Sequence, residues 1–559
     1  MEIFIIKFKF IFLRRIKIFM KLLFILSVIL IFNVQQNKID SRIPINKYEK
    51  KKTLVIQVNN YYMSVNGIKT KVDNNSKVVP VIREGEVYIP IKSIIEKLGG
   101  NIFWIKDEEK ALIVLDNDTI ELWIDDNDIL INGLYKEMKN TPYIENNRIY
   151  IPLKVLTENI ECNIKWDAKS KKIKLDFEET DKKNVLRFWH YNKELVEYIK
   201  TSYMIANPDT KIIGSHIPKS NYYDIIKQIQ ESQKLNFPDV ICTDLYDLKK
   251  MIRLNIFENL DKYNIDEIKK NKYKFSLDLA KNQDGKIYAL NDFINPVGLV
   301  YKKDLALKYL GTDDNSKISN FFYNRDSIIN MADLISKNSN GKVKMFASTY
   351  ELYQMFLAKR DLPWNNSDEI KFDDDLYKNF ELLKDLTING DIDNIKYSSL
   401  KWDKTFKRDN HIFYYIPLWQ IYSKIILDEK NINSNWDIAK DIEYSLDGGF
   451  WYGVSIKSKN KEEAIKFIKY ISSNYSYLKE NALVNGEIPN SKVLIKELES
   501  ENYKENSGIN VYENIDESIN KLNGEIFGEL DHEIDIYDNL KKYIKNEISL
   551  EQIIKKHLK

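Results

Sequence analysis

Two stretches of this sequence state one pattern twice. Glu86–Trp104, EVYIPIKSIIEKLGGNIFW, and Arg148–Trp166, RIYIPLKVLTENIECNIKW, superimpose at a constant offset of 62 positions. Tyr88, Pro90, Lys92, Glu96, Asn101 and Trp104 fall on Tyr150, Pro152, Lys154, Glu158, Asn163 and Trp166. Each aromatic and β-branched run ending in Tyr-Ile-Pro predicts a strand. The proline suits the first turn of a following helix, where a missing N–H costs nothing. Ile91 to Leu98 and Leu153 to Ile160 then place apolar residues at helical spacing, and an Asn-Ile strand closes each copy on its tryptophan. A matching pair, VNGIK at Val65 and INGLY at Ile131, precedes the repeats. Two β-helix-β units that bury one face against each other predict a small pseudo-symmetric α+β domain over residues 53–177, with repeats at about 65–116 and 131–177.

The segment ahead of this domain is a different material. Lys7, Lys9, Arg14, Arg15, Lys17 and Lys21 lead into the unbroken apolar run Leu22 to Phe32, followed by polar residues, and residues 1–35 have the parts of an export signal. The run is short for a span of about 20 residues unless it is counted from Ile16. No small-x-small cleavage pattern and no lipid-bearing cysteine follow, so an uncleaved membrane anchor is favoured slightly over a secreted or wall-bound form. Met20 opens a compact signal in its own right, leaving Met1 and Met20 as alternative starts.

At 559 residues the chain exceeds a single core by the usual ~100–200 residues per domain. Its 85 basic and 83 acidic residues leave a net charge of +2, which excludes the uncompensated basic face of a nucleic-acid protein. Cys162 and Cys242 fall in different predicted domains, arguing against a disulfide framework or a thiolate metal site.

The repeat stretch resembles the copper amine oxidase N-terminal-like domain, on its YIPIK and YIPLK cores and following tryptophans. Copper chemistry would need a histidine cluster, yet the five histidines are His190, His216, His411, His532 and His557. With none before residue 190, the domain is expected to be non-catalytic, without metal or cofactor, a stalk that spaces the rest of the chain from membrane or wall. Its removal is expected to leave ligand affinity nearly unchanged.

Residues 178–184 form a charged linker, after which strands and helices alternate: NVLRFWHYNKE as a short strand running into polar residues, then KELVEYIKTSYMIA stopped by Asn207-Pro208, then TKIIGSH, NYYDIIKQIQESQKL and FPDVICTD. The alternation predicts α/β architecture with a largely parallel, doubly wound sheet and ligands at its carboxyl ends. From 185 to 559 the chain resembles the family 1 extracellular solute-binding proteins, the capture subunits of carbohydrate-importing ABC transporters. The phrases that carry this come in order: LRFWHY at Leu186, ANPDTKI at Ala206, FPDVICTD at Phe237, IFENLDKY at Ile256, DGKIYAL at Asp284, GLVYKKDL at Gly298, PLWQIYS at Pro417, WDIAK at Trp436, GGFWYGVSIKSKNKEEAIKFIKYISS at Gly448 and GEIPNSK at Gly486. Asn291 stands where the family usually has proline, and ISNFFYNRDS replaces the usual Pro-x-Thr-Trp helix start. The resemblance implies a two-lobed periplasmic-binding-protein-like fold of type II, a carbohydrate ligand, permease partners and an extracellular, cell-surface location. It also implies crossings between lobes near Asp292–Gly298 and Asp447–Ile456, with Asp292, Pro296, Gly298, Gly448 and Gly449 as hinge residues.

A pyranose offers a flat C–H face and a fringe of hydroxyls, so its site needs aromatic platforms and planar polar side chains. Tyr191 and Asn192 follow the first strand of this region, Asp244 and Tyr246 follow PDVIC, Trp419 follows IPL on the second lobe, and Trp451 borders the second crossing. Trp419 is expected to stack on a ring, Trp451 and Tyr191 to border it, and Asp244 and Asn192 to bond hydroxyls, with Tyr246 beside them. Trp189 and Trp436 fit core positions, and His190 fits either a ligand contact or scaffold. The chain shows no Gly-x-Ser-x-Gly elbow, His-Glu-x-x-His helix, phosphate loop or dinucleotide fingerprint, which disfavours a surface carbohydrate-active enzyme. A surface sensor or wall-associated binding module built on the same fold remains an alternative to transport.

Overall fold

The computed structural model describes residues 51–160, 162–178, 185–232, 236–359, 374–426, 435–500, 509–513, 515–522 and 531–557. The expected export segment and the linker residues 179–184 lie outside the described residues. Among the described residues no helix is long and apolar enough to cross a membrane.

The repeats fold as their spacing predicts. In order come β1 (Lys51–Gln57), β2 (Tyr62–Val65), β3 (Ile68–Lys71), β4 (Val81–Arg83), β5 (Glu86–Pro90), helix Ile91–Leu98, β6 (Asn101–Ile105), β7 (Lys110–Leu115), β8 (Asp118–Trp123), β9 (Asp128–Ile131), β10 (Leu134–Glu137), β11 (Tyr143–Glu145), β12 (Arg148–Pro152), helix Leu153–Thr157, β13 (Asn163–Asp167) and β14 (Lys172–Glu178). Three small sheets result, ordered β13-β14-β1-β2-β3, β10-β9-β8-β7-β6 and β11-β12-β5-β4. The two Tyr-Ile-Pro strands pair antiparallel with Ile89 opposite Ile151, so the copies meet across one shared sheet. Pro90 and Pro152 stand at the helix N-caps, one position ahead of the expected first turn. Gly99, at φ 94°, caps the first helix; the second copy has Glu161 there, and its helix ends at Thr157, short of the expected Ile160. The shared core gathers Ile89, Ile94, Ile95, Ala111 and Ile113 from the first copy with Ile151, Leu156, Ile173 and Leu175 from the second.

The other face of the first copy is buried as well. Strand register puts Asn101, Phe103, Lys110, Leu112, Val114, Thr119 and Glu121 on one side of β6-β7-β8. Phe103, 1% exposed, joins Leu112 and Val114 in the core of the region beyond Val185, and meets Trp189 edge-on with ring centroids 6.2 Å apart. The same positions of the second copy are Lys165, Lys174 and Asp176, charged and turned to solvent or only partly covered. The repeat domain is therefore fastened along one flank of the region beyond Val185. This corrects the expected free-standing stalk: apolar side chains that a spacer would leave wet are used as core.

From Val185 the strands are β15 (Val185–His190), β16 (Lys211–His216), β17 (Val240–Asp244), β18 (Leu290–Lys302), β19 (Phe413–Pro417), β20 (Trp436–Ile438), β21 (Ser445–Val454) and β22 (Ile488–Pro489). They form one sheet in the order β16-β15-β17-β21-β18-β19, with β20 and β22 also on β18. Among the named strands of the described residues only β15 pairs parallel, with β16 and β17; the pairs of β18 and β21 are antiparallel, which corrects the expected largely parallel sheet. A strand that passes between lobes runs against its neighbour instead of returning through a crossover helix. The edge of β16 is covered by the β7–β8 turn: Gly214 N–H donates to Asn117 Oδ1 at 3.0 Å and Ser215 O–H to the Asp116 carbonyl at 2.6 Å. A bare parallel edge would be a template for further pairing, and this turn blocks it.

Two cores flank the long strands. Leu290, Phe293 and Ile294 of β18 belong to the first core, and Val297, Leu299 and Tyr301 to the second. Between them the β18–β21 register slips at Asn291/Ile294 and again at Ile294/Pro296.

Candidate functional site

Aromatic and charged side chains gather where β15 and β17 end beside the irregular part of β21. Strand register sets Asp244, the last residue of β17, opposite Phe450. Tyr191, just past β15, lies 5.6 Å from Phe450 and 5.4 Å from Tyr222 between ring centroids. Lys219 stands 4.7 Å from the centre of the Tyr191 ring and bridges Asp244 at 2.6 Å and Asp247 at 2.7 Å. Burial works to lower the Lys219 pKa, but the two carboxylates outweigh it and hold the ammonium above its usual range. Burial also pushes the Tyr191 phenol well up, with the Asp244 carboxylate adding, so it stays a hydroxyl donor and acceptor.

Tyr246 donates its O–H to Asp447 Oδ1 at 2.9 Å. Burial raises the Asp447 carboxyl above the usual carboxylate range against the pull of that hydrogen bond. The Asp447 charge is felt by Tyr397, whose phenol is raised first by burial and then by Asp447 and Glu351. Tyr397 packs against Tyr350 at 4.8 Å and Trp402 at 4.7 Å. Tyr191, Tyr246, Tyr350, Tyr397, Asp447 and Phe450 are all half-buried, the exposure expected of groups that meet a ligand. Apolar ring faces beside hydroxyl and carboxylate oxygens can grip a flat polyhydroxylated molecule.

Several expected site residues have local duties. Asn192 caps helix Lys193–Ala206, its Oδ1 accepting the Leu195 N–H at 3.0 Å. Asp244 caps helix Leu245–Arg253 through the Asp247 N–H at 3.1 Å while its other oxygen holds Lys219, so neither oxygen is idle. Trp451 is a correction: it is 1% exposed and donates its indole N–H to the Ser276 carbonyl at 3.2 Å, which leaves it no face for a sugar. Its strand position gave no warning, since the helix Lys274–Leu279 that covers it comes from far away in sequence. Trp419 is half-buried and opens the helical turn Trp419–Ile421 after β19, followed by a π-helical turn over Tyr422–Ile426. Trp189 and Trp436 are core, as expected.

His190 is scaffold. Its Nδ1 accepts the Asn192 N–H at 2.8 Å, and burial, with His216 adding, pushes it down to about 3, so the ring is neutral. Among the described residues no group of three or more His, Cys, Asp or Glu side chains could hold a metal ion.

Of the expected hinge residues, Gly448 and Gly449 have φ of 89° and 108°, a conformation side chains resist. Gly298 is there for another reason: it lies within β18, where a Cβ would come 3.1 Å from Leu418 and 3.2 Å from Tyr444. Pro296 accepts the Leu418 N–H at 2.9 Å through its carbonyl. Asp292 is buried, its Oδ2 accepting the hydroxyls of Tyr452 at 3.0 Å and Tyr477 at 3.2 Å, and burial raises it to about 6. Phe450, Asp447, Tyr397 and Tyr350 went unrecognised in the sequence, because nothing local separates a cleft tyrosine from a core one.

The bacterial extracellular solute-binding protein family model matches residues 191–475, half of the chain. The chain belongs to this family. The copper amine oxidase N-terminal domain model matches residues 74–175. A family 1 extracellular solute-binding protein of known structure superimposes with TM-score 0.57 at 17% identity, covering 67% of this chain and 98% of that one. The sugar-binding protein MalE from Xanthomonas citri gives TM-score 0.55 at 15% identity, over 67% of this chain and 95% of that one. Maltose-bound MalE3 of T. maritima gives 0.52 at 18%, over 67% and 98%. These structures share the two-lobed fold. A search among curated proteins finds no match.

Proposed function

We propose that residues 185–559 capture a carbohydrate, an oligosaccharide in particular, between the two lobes and hand it unaltered to the permease of an ABC importer. The observation that carries this reading is the Tyr246–Asp447 hydrogen bond beside the Tyr191–Phe450 ring pair, with Tyr397, packed on Tyr350, near enough to feel the Asp447 charge. Aromatic faces from both lobes gain a shared partner only when a ring lies between them, so ligand binding shifts a hinge equilibrium toward closure. The slipped register of β18 on β21 and the paired glycines Gly448-Gly449 supply the place to bend. Trp419 supplies a stacking platform at the rim of the second lobe. Among solved relatives of this fold, MalE3 of T. maritima holds maltose, which supports the ligand class.

Isothermal titration of the full chain against a panel of plant, host and wall oligosaccharides tests the reading. Binding of at least one glycan is expected, and Trp419→Ala should weaken it by about 1–3 kcal/mol, the scale of one buried aromatic contact. Binding of peptides or amino acids alone overturns the ligand class; undiminished sugar binding by the variant removes Trp419 from the site. The apolar run Leu22–Phe32 exports the chain and stays as its anchor. Intact-mass measurement on the native protein decides this, since a mature chain starting after Phe32 contradicts an anchor.

A further inference from the structure

We propose that the repeat domain is a working part of the ligand site: Lys110, from the first repeat, positions the Lys219 ammonium in the cleft through Asn221. The proposal rests on the cleft reading above. Lys110 is 3% exposed, and its Nζ donates to Glu108 Oε2 at 2.7 Å, Glu121 Oε2 at 3.2 Å and Asn221 Oδ1 at 3.0 Å. A buried ammonium is tolerated only when its protons are fully engaged, and three acceptors on separate segments fix its place. Asn221 is gripped from both ends of its amide, since its Nδ2 also donates to Glu108 Oε1 at 2.9 Å.

Asn221 ends the short turn Lys219–Asn221. Two residues earlier that turn presents Lys219 to Asp244, Asp247 and the Tyr191 ring. One residue later Tyr222 donates its O–H to the Trp189 carbonyl at 3.1 Å and packs its ring on Tyr191. A three-residue turn held at one end by the repeat domain thus has little freedom left at the end that faces the cleft. The second repeat shows what this lysine does elsewhere: its counterpart Lys172 is exposed, and the fold of that copy does not need it buried.

Lys219 can be probed without knowing the ligand. The folded full chain and the variants Lys110→Met, Asn221→Ala and Glu108→Gln are labelled with acetic anhydride, and acetylation of Lys219 is quantified by mass spectrometry against exposed Lys270. An ammonium paired to two carboxylates reacts slowly, so each variant should show a several-fold rise at Lys219 with Lys270 unchanged. A loss of thermal stability without that rise marks a merely structural contact and overturns the proposal. For a glycan that the unaltered chain binds, Lys110→Met should weaken affinity about tenfold, the scale of one charge-assisted hydrogen bond. Equal affinity overturns the link to the ligand. If the unaltered chain binds no glycan while the Lys219 rise is seen, the positioning stands and the ligand class fails.

Discussion

The two repeats differ where one is docked and the other is wet, and that difference can be transplanted. Replacing Phe103, Leu112 and Val114 by the second copy's residues, as Phe103→Lys, Leu112→Lys and Val114→Asp, keeps the face toward the repeat core intact. Ala111, Ile113 and Leu115 point the other way into that core. Phe103, Leu112 and Val114 are each almost fully buried against the binding module. At about 1.5–3 kcal/mol per buried side chain, the three lost side chains cost the docking surface roughly 4.5–9 kcal/mol. Three charges cannot be buried there without partners, so the domains should part instead of trapping them. Scanning calorimetry should then show two transitions in place of one, and hydrogen exchange at the Gly214 amide, protected by Asn117, should speed up. A single transition at the original temperature, with Gly214 still protected, would refute the inference that this face is core.

Burial raises Glu351 to about 8, opposed by its bonds to the Trp402 and Ser348 N–H groups, so the folded chain holds a proton that the unfolded chain releases above the ordinary carboxyl range. Stability should therefore fall as pH rises from about 4.5 to about 8, by up to about 1.4 kcal/mol per unit, and Glu351→Gln should flatten that slope in urea titrations run at pH 5 to 9. Identical slopes would show that the carboxyl is ionised in the fold. Trp451→Ala should cost about 3–5 kcal/mol of stability, as large-to-small core changes do, measured by chemical denaturation; a variant of unchanged stability would return Trp451 to the cleft. Gly486→Ala should destabilise by more than about 1 kcal/mol, since its φ is 72° and the new Cβ would overlap Tyr422, and a thermal midpoint equal to the parent's would contradict that packing.

The repeat offset, the Tyr-Ile-Pro strand ends and the strand-helix alternation after Val185 all determined local structure, because periodicity and proline act through neighbours a few residues away. The two-lobed fold was also legible, through ordered phrases that the family match bears out. One further signal lay in plain view: laying Phe103, Leu112 and Val114 over Lys165, Lys174 and Asp176 separates a docked face from a solvated one. The surface that this face docks against could not be read, since Trp189 and Asn221 reach it only through the tertiary fold. The same holds in the cleft. Trp451 and Tyr397 are both large aromatic residues, yet one is sealed by Ser276 and the other left half-open. Burial is set by which distant element arrives on top of a side chain, and that arrival is decided by chain crossings over 100 residues or more, which only the assembled structure contains.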